Sequence, residues 1–326
     1  MHSKQSGLWW AKKLFLTCSL KKSFMSMKLI VLGTSASNPT VERSLSSTAL
    51  QFEGEWLLFD CPEGTQRQMM KAGVSYMKVR HVFISHFHAD HFLGLPGLIA
   101  TMSMHGRDYP LHVFGPLGIK EQIKKILSLA LFKQSFEINA KEIRKGEILE
   151  EEKFFVEAVP LKHEVKCFGF VFKEKDKEGE FQRKKAEQLG IPEGMLWSKL
   201  QRGETVKFKE KTIKPEQVMD YSKKRRGKKV SIILDTLPFD GYVEAVRDSD
   251  VLVHEATFLD KMELRARQTK HSTARQAAAI AEKAGCKRLV LTHFSPRHRD
   301  EKEIENQARQ EFANVVVAKD LMEIEI

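Results

Sequence analysis

The chain reads as an α/β protein, two β-sheets packed together and sandwiched between helices, and three features of its sequence predict this. Short β-rich apolar runs recur along its length. Helical patterns separate several of them. Polar, metal-affine residues gather where such runs end, which is where α/β sheets build their sites.

In chain order the runs are KLIVLG (28–33), TALQF (48–52), EWLLFD (55–60), HVFIS (81–85), LHVFG (111–115), FFVEAV (154–159), FGFVF (168–172), VSIILD (230–235), DVLVHE (250–255), RLVLTH (288–293) and NVVVA (314–318). Their β-branched and aromatic content favours strands. GPLGIKEQIKKILSLAL places Ile119, Ile123, Ile126 and Leu127 on one helical face, with Pro116 and Gly118 at its start. STARQAAAIAEKAG opens on Ser272 or Thr273 as N-cap and stops at Gly285. Residues 173–229 break the rhythm: they are polar and carry Gly179, Gly190, Pro192, Gly194, Gly203 and Pro215. Such a segment cannot form much core and reads as an arm inserted into the body and standing off it. Residues 27–326 form the domain, since MKLIVLGT from Met27 has the look of a natural beginning. Residues 1–26 read as a disordered leader or the product of an upstream start codon.

Net charge is +11, unevenly spread. Residues 1–26 hold Lys4, Lys12, Lys13, Lys21 and Lys22 and no acid, while 173–229 hold 18 Lys/Arg against 10 Asp/Glu. The basic surplus therefore sits in two segments, the footprint of a polyanion binder or, more blandly, of a solvated charged face. Cys18, Cys61, Cys167 and Cys286 have no paired spacing, which argues against a disulfide framework and for a reducing, cytoplasmic setting. No apolar run approaches the roughly 20 residues of a membrane-spanning helix.

His86, His88, Asp90 and His91 read H-x-H-x-D-H directly after the run HVFIS. Imidazole and carboxylate are good ligands for zinc and similar ions. Four such groups packed without a metal would have little to offset their desolvation. Other acids and histidines close other runs: His163 after FFVEAVPLK, Asp235 after VSIIL, His254 and Glu255 at the end of DVLVHE, and His293 at the end of RLVLTH. Each alone is an ordinary turn residue; together they supply enough ligands for a dinuclear site. His271, before the alanine-rich helix, reads either as an exposed loop histidine or as an acid beside a leaving group.

GTSASNPT, FDCPEGTQRQM, SHFHADHFLGLPGL, VFGPLG, HEVKCFGF, LDT, HEATF, HST and THFSPR occur here in this order. In this the chain resembles, over nearly all of 27–326, the ribonuclease Z family, tRNA 3′-processing endonucleases of the metallo-β-lactamase fold, in its short form. The resemblance implies a four-layer αβ/βα sandwich with a tRNA-binding arm. It implies that His86, His88 and His163 hold one zinc, that Asp90, His91 and His293 hold another, and that Asp235 bridges them. Manganese or another divalent ion is an alternative. Asp90 would also be the general base and His271 the acid at the leaving group, with Glu255 orienting His271. Arg297, in SPRH, would contact a phosphate. Lys223, Lys224, Arg225 and Arg226, near the return from arm to body, would contact RNA. The partner would be a tRNA precursor, cut to a tRNA 3′-hydroxyl and a 5′-phosphorylated trailer by a homodimeric enzyme. The chain departs from the family pattern at Pro62 and Leu234, where glycine is usual, and at Met195, where the arm tip commonly has proline. Two rival readings are a phosphodiesterase or arylsulfatase acting on small molecules, and an RNA-binding protein with a structural metal site.

Overall fold

A computed structural model describes residues 27–129, 131–298 and 300–326. The leader expected at 1–26 lies outside the described residues. The first sheet is built from β1 (Lys28–Gly33), β2 (Ser47–Phe52), β3 (Glu55–Phe59), β4 (Val79–Phe83), β5 (Leu111–Gly115) and β6 (Ile138–Glu142). The second begins with β7 (Gly146–Glu150), β8 (Phe154–Leu161) and β9 (Cys167–Glu174). After the small arm strands β10 (Glu180–Phe181), β11 (Val206–Phe208), β12 (Lys211–Ile213) and β13 (Met219–Asp220), it resumes with β14 (Lys229–Ile233), β15 (Val251–Glu255), β16 (Leu289–Thr292) and β17 (Val315–Val317). The last strand, β18 (Met322–Glu325), returns to the first sheet beside β1, so each sheet has seven strands. Strand order is 18-1-2-3-4-5-6 in one and 17-16-15-14-9-8-7 in the other.

Period-two alternation explains why these strands read as continuous apolar runs. In β1, Leu29 and Val31 face the second sheet, while Ile30 and Leu32 face helices. The inter-sheet core contains Phe59, Phe83, Phe170 and Phe172, with the Phe59 and Phe83 rings stacked 5.0 Å apart. Helices α1 (Thr65–Lys71), α2 (Ala89–Phe92), α3 (Leu95–Met104) and α4 (Ile119–Leu129) follow strands of the first sheet, and α3 and α4 cover its outer face through Leu98, Ile99, Ile119 and Ile123. The arm holds α5 (Arg183–Gln188) and α6 (Met195–Gln201). Helices α7 (Val243–Val246), α8 (Glu263–Gln268), α9 (Ala274–Lys283) and α10 (Glu301–Arg309) complete the chain, and α7, α9 and α10 cover the second sheet. This is the four-layer α/β sandwich that the sequence implies. Thr273 is the N-cap of α9, its hydroxyl accepting from the Gln276 amide, and Gly285 takes φ +64° just past the helix end. Among the described residues no helix is long and apolar enough to cross a membrane.

The inserted segment has more order than its polarity suggests. Ala186, Ile191, Trp197, Leu200, Val206, Ile213 and Val218 bury one another in a small core of their own. Trp197 Nε1 donates to the Ile191 carbonyl at 3.0 Å. These apolar residues are too widely spaced for a periodic pattern, and only the chain reversals of two short helices and the β11–β12 hairpin bring them together.

Arg225 at the arm's base has a task the sequence did not suggest. Its guanidinium clamps Glu174 with two bonds of 2.6 and 2.8 Å. Gly227 passes so close that a Cβ there would lie 1.8 Å from the Glu174 carbonyl oxygen. Lys224 pairs with Glu178, and Arg226 donates to the Asp248 carbonyl. A guanidinium already paired bidentately is a poor phosphate ligand unless that pair breaks.

Candidate metal centre

Strand direction assembles the site. β3, β4 and β5 run parallel, as do β14, β15 and β16, so their C-terminal ends share a rim. Asp60 follows β3, His86 and His88 follow β4, His163 follows β8, Asp235 follows β14, Glu255 ends β15 and His293 follows β16. Asp60, Asp235 and His293 all have left-handed backbone, with φ of +57°, +39° and +58°. Such conformations persist where the surroundings enforce them and turn side chains sharply into a site. Leu234, the departure from glycine, points away and packs between the sheets, so the bulk next to Asp235 falls outside the cluster.

Two nests of side chains result. His86, His88, His163 and Asp235 offer ligand atoms within 4.8 Å of one another, and so do Asp90, His91 and His293. Asp235 lies between them. Its Oδ2 is 3.5 Å from His86 Nε2, 3.3 Å from His91 Nε2 and 3.7 Å from His163 Nε2, while its Oδ1 is 3.0 Å from His293 Nε2. Asp90 Oδ2 lies 3.5 Å from His91 Nε2 and also accepts the Ser37 amide at 2.8 Å.

The far nitrogen of each ring decides which nitrogen is free. His91 Nδ1 donates to Asp60 Oδ2 at 2.7 Å. Ser85 Oγ donates to the same carboxylate at 2.8 Å, so it accepts from His86 Nδ1 at 2.9 Å. Thr257 Oγ1 donates to Glu255 and accepts from His293 Nδ1 at 3.0 Å. A proton held on Nδ1 leaves the Nε2 lone pair aimed inward. Among the described residues, the buried Nε2 atoms of His86, His91 and His293 and Oδ1 of Asp235 have no hydrogen-bond partner. Buried acceptors converging without donors fit divalent cations, and the residues present are suited to holding them.

Charge agrees with geometry. Burial works against ionising Asp235, but the imidazoles of His293, His91 and His86 outweigh it and hold the carboxyl well below its usual range. Burial also opposes a charge on His91, yet Asp235 and Asp60 raise it well above the ordinary histidine value. Burial lowers the pKa of His86, His163 and His293, which keeps those rings neutral as metal ligation requires.

His271 stands at the edge of this centre, its ring 5.1 Å from His163 and 5.6 Å from His293. Its Nδ1 donates to Glu255 Oε1 at 2.9 Å, and the Thr236 amide donates to the same oxygen at 2.6 Å. Burial lowers the His271 pKa, but the Glu255 carboxylate wins and pushes it up to about 9. Arg297 is exposed beside His271, in the wall of one cavity. Lys223, Lys224, Arg225 and Arg226 do not join the site: they precede β14, whose other end carries Asp235. Asp60, Ser85 and Thr257 were missed as site residues. Asp60 ends a strand as Asp235 does, and that signal could have found it; Ser85 and Thr257 gave none.

The fold and this cluster define a metal-dependent hydrolase of the metallo-β-lactamase class. Residues 201–294 match the family model described as beta-lactamase superfamily domain, and residues 27–177 match that of anti-Pycsar protein Apyc1. Ribonuclease Z of Nitrosopumilus maritimus is 46% identical over 300 residues, 92% of this chain and 100% of that protein. The chain belongs to the ribonuclease Z family. Ribonuclease Z of Methanosarcina acetivorans is 43% identical over 92% of this chain and 98% of its own. Among solved structures, the short form of human tRNase Z aligns with a TM-score of 0.67 at 29% identity, covering 92% of this chain and 99% of that one.

Proposed function

We propose that this ribonuclease Z-type enzyme removes 3′ trailers from tRNA precursors with two zinc ions per subunit, leaving a tRNA 3′-hydroxyl and a 5′-phosphorylated trailer. The observation that carries the reading is the pair of histidine and aspartate nests sharing Asp235, with inward Nε2 atoms that no described residue satisfies. His86, His88 and His163 would hold one ion, Asp90, His91 and His293 the other, with Asp235 between. Two divalent ions there would lower the pKa of an attacking water and neutralise charge building on phosphate oxygens. Manganese would suit the same donors.

The chain's own groups do the rest. Asp90, kept ionised by His91 and His293 against its burial, accepts the proton of the attacking water. The P–O3′ bond breaks, and His271, protonated at neutral pH, gives its proton to the departing 3′-oxygen. Glu255 holds His271 in that orientation.

The arm's basic surface supports a role in gripping the tRNA body by shape and phosphate. It springs from the ends of β9 and β14 remote from the metal rim, which favours its serving a second copy of the chain in a homodimer. Buried free thiols at Cys61, Cys167 and Cys286 accord with a cytoplasmic setting.

Metal analysis of purified protein, with mapping of the ends left on a trailer-bearing tRNA precursor, tests the reading. The expected result is two equivalents of metal and one cut giving a 3′-hydroxyl. Metal-free protein that goes on cutting in excess chelator overturns it.

A further inference from the structure

Beside the metal centre lies a cavity of about 420 Å³, walled by Ser37, Asn38, Phe258, Arg265, His271 and Arg297 among others. Its volume is that of an ordinary small-ligand site. The backbone of its Ser37 wall is tied to Asp90 at 2.8 Å, so the cavity adjoins the cluster from the side where Asp90 and His271 stand. Arg265, on α8, and Arg297 are both exposed. Among the described residues neither guanidinium has a carboxylate within 4.0 Å, unlike Arg225, Arg275 and Arg309. Two unpaired guanidinium groups lining one cavity repel each other unless an anion lies between them.

We infer that this cavity seats the last nucleotide retained on the tRNA, with Arg265, alongside Arg297, holding the phosphate on that nucleotide's 5′ side. The inference rests on the proposed cleavage reaction and goes beyond it by naming a subsite and a new residue. The 3′-oxygen that leaves belongs to the retained nucleotide. His271 is in the cavity wall and is the group beside that oxygen, so the ribose carrying the oxygen lies on the cavity's side of the scissile phosphorus. Phe258 gives the cavity an apolar surface, and the Asn38 side chain gives it hydrogen-bonding groups. The metal nests take the scissile phosphate; the next phosphate upstream is the nearest anion left for Arg265 and Arg297. Arginine suits it, being permanently charged and able to bind phosphate through two parallel bonds.

The test uses single-turnover cleavage of a 3′-extended tRNA precursor in three forms. One is all-phosphate, one has a neutral methylphosphonate immediately 5′ of the last retained nucleotide, and one has it at the first linkage inside the trailer. Wild-type enzyme, Arg265→Ala and Arg265→Lys are compared, with melting temperatures as a check on folding. Arg265→Ala is expected to slow the all-phosphate precursor about tenfold or more, the scale of one charge-assisted contact. The upstream neutral linkage should slow wild type to a similar degree and add little to the variant's defect, with Arg265→Lys recovering part of the loss. Full additivity of the two defects, a wild-type rate in Arg265→Ala, or non-additivity with the trailer linkage instead, overturns the assignment while leaving the cleavage reaction standing. If wild type cuts none of the three, the reaction itself fails and the subsite falls with it.

Discussion

The Asp60 carboxylate at the end of β3 accepts the Nδ1 proton of His91 at 2.7 Å and, through Ser85 Oγ, also sets the tautomer of His86. One buried acid thus orients a histidine of each nest. Asp60→Asn is expected to weaken metal binding about 10- to 100-fold, the usual scale for a partner behind a metal-ligating histidine. Competition with a chromophoric chelator measures it. Affinity equal to wild type would show that the ring orientations survive without Asp60.

His271 and Glu255 should act as a unit. His271→Ala is expected to lower kcat by about 10² to 10⁴, the range for a lost general acid, with little change in KM. Single-turnover cleavage separates the two.

The same pair predicts a pH effect. Glu255 pushes the His271 pKa up to about 9, so the proposed acid stays protonated through neutral pH and is lost as pH rises past that value. In Glu255→Gln the fall in rate should move toward the ordinary histidine value of about 6.5. A pH–rate profile whose alkaline limb stays put would remove His271 from the role of acid.

The arm carries its own core and closes on the Glu174–Arg225 clamp. Replacing 180–220 with a short glycine-serine linker keeps that clamp. The expected outcome is about a tenfold or larger rise in KM for a tRNA precursor, because phosphate contacts dominate such affinity. Hydrolysis of bis(p-nitrophenyl) phosphate should suffer far less. Equal loss on both substrates would mean that the arm supports the fold of the site and not RNA binding.

His81 sits between the sheets in the middle of β4, stacked on His112 at 5.4 Å. Burial, then the neighbouring His112 and Arg80, lower its pKa to about 3. Glu151 lies 3.5 Å away but is half-exposed and too well solvated to reverse this. A histidine with a lowered folded pKa binds its proton more readily when unfolded. Its stabilising effect is therefore full above about pH 6.5 and is lost as pH falls toward 3, by at most about 1.4 kcal/mol per pH unit. His81→Phe should flatten the acid side of the stability curve by that slope, measured by urea unfolding between pH 7 and 4.5. A parallel pair of curves would refute it.

The sequence by itself determined the layers and the chemistry. Apolar runs such as KLIVLG and VSIILD announced strands buried on both faces, and H-x-H-x-D-H announced a metal, because periodicity and ligand type are local properties. It did not disclose β6, β7 or β18, whose half-exposed residues lack a clear apolar pattern, nor the amphipathic α10. Only the tertiary structure decided that Asp60 and Ser85 stand behind His91 and His86, that Arg225 is spent on Glu174, and that Arg265 and Arg297 line one cavity with no carboxylate partner among the described residues. Apart from the adjacent Ser85 and His86, those are relations between residues 25 to 51 positions apart. They come from strands ending on a common rim and from loops packed against them, and no local pattern encodes which carboxylate meets which base.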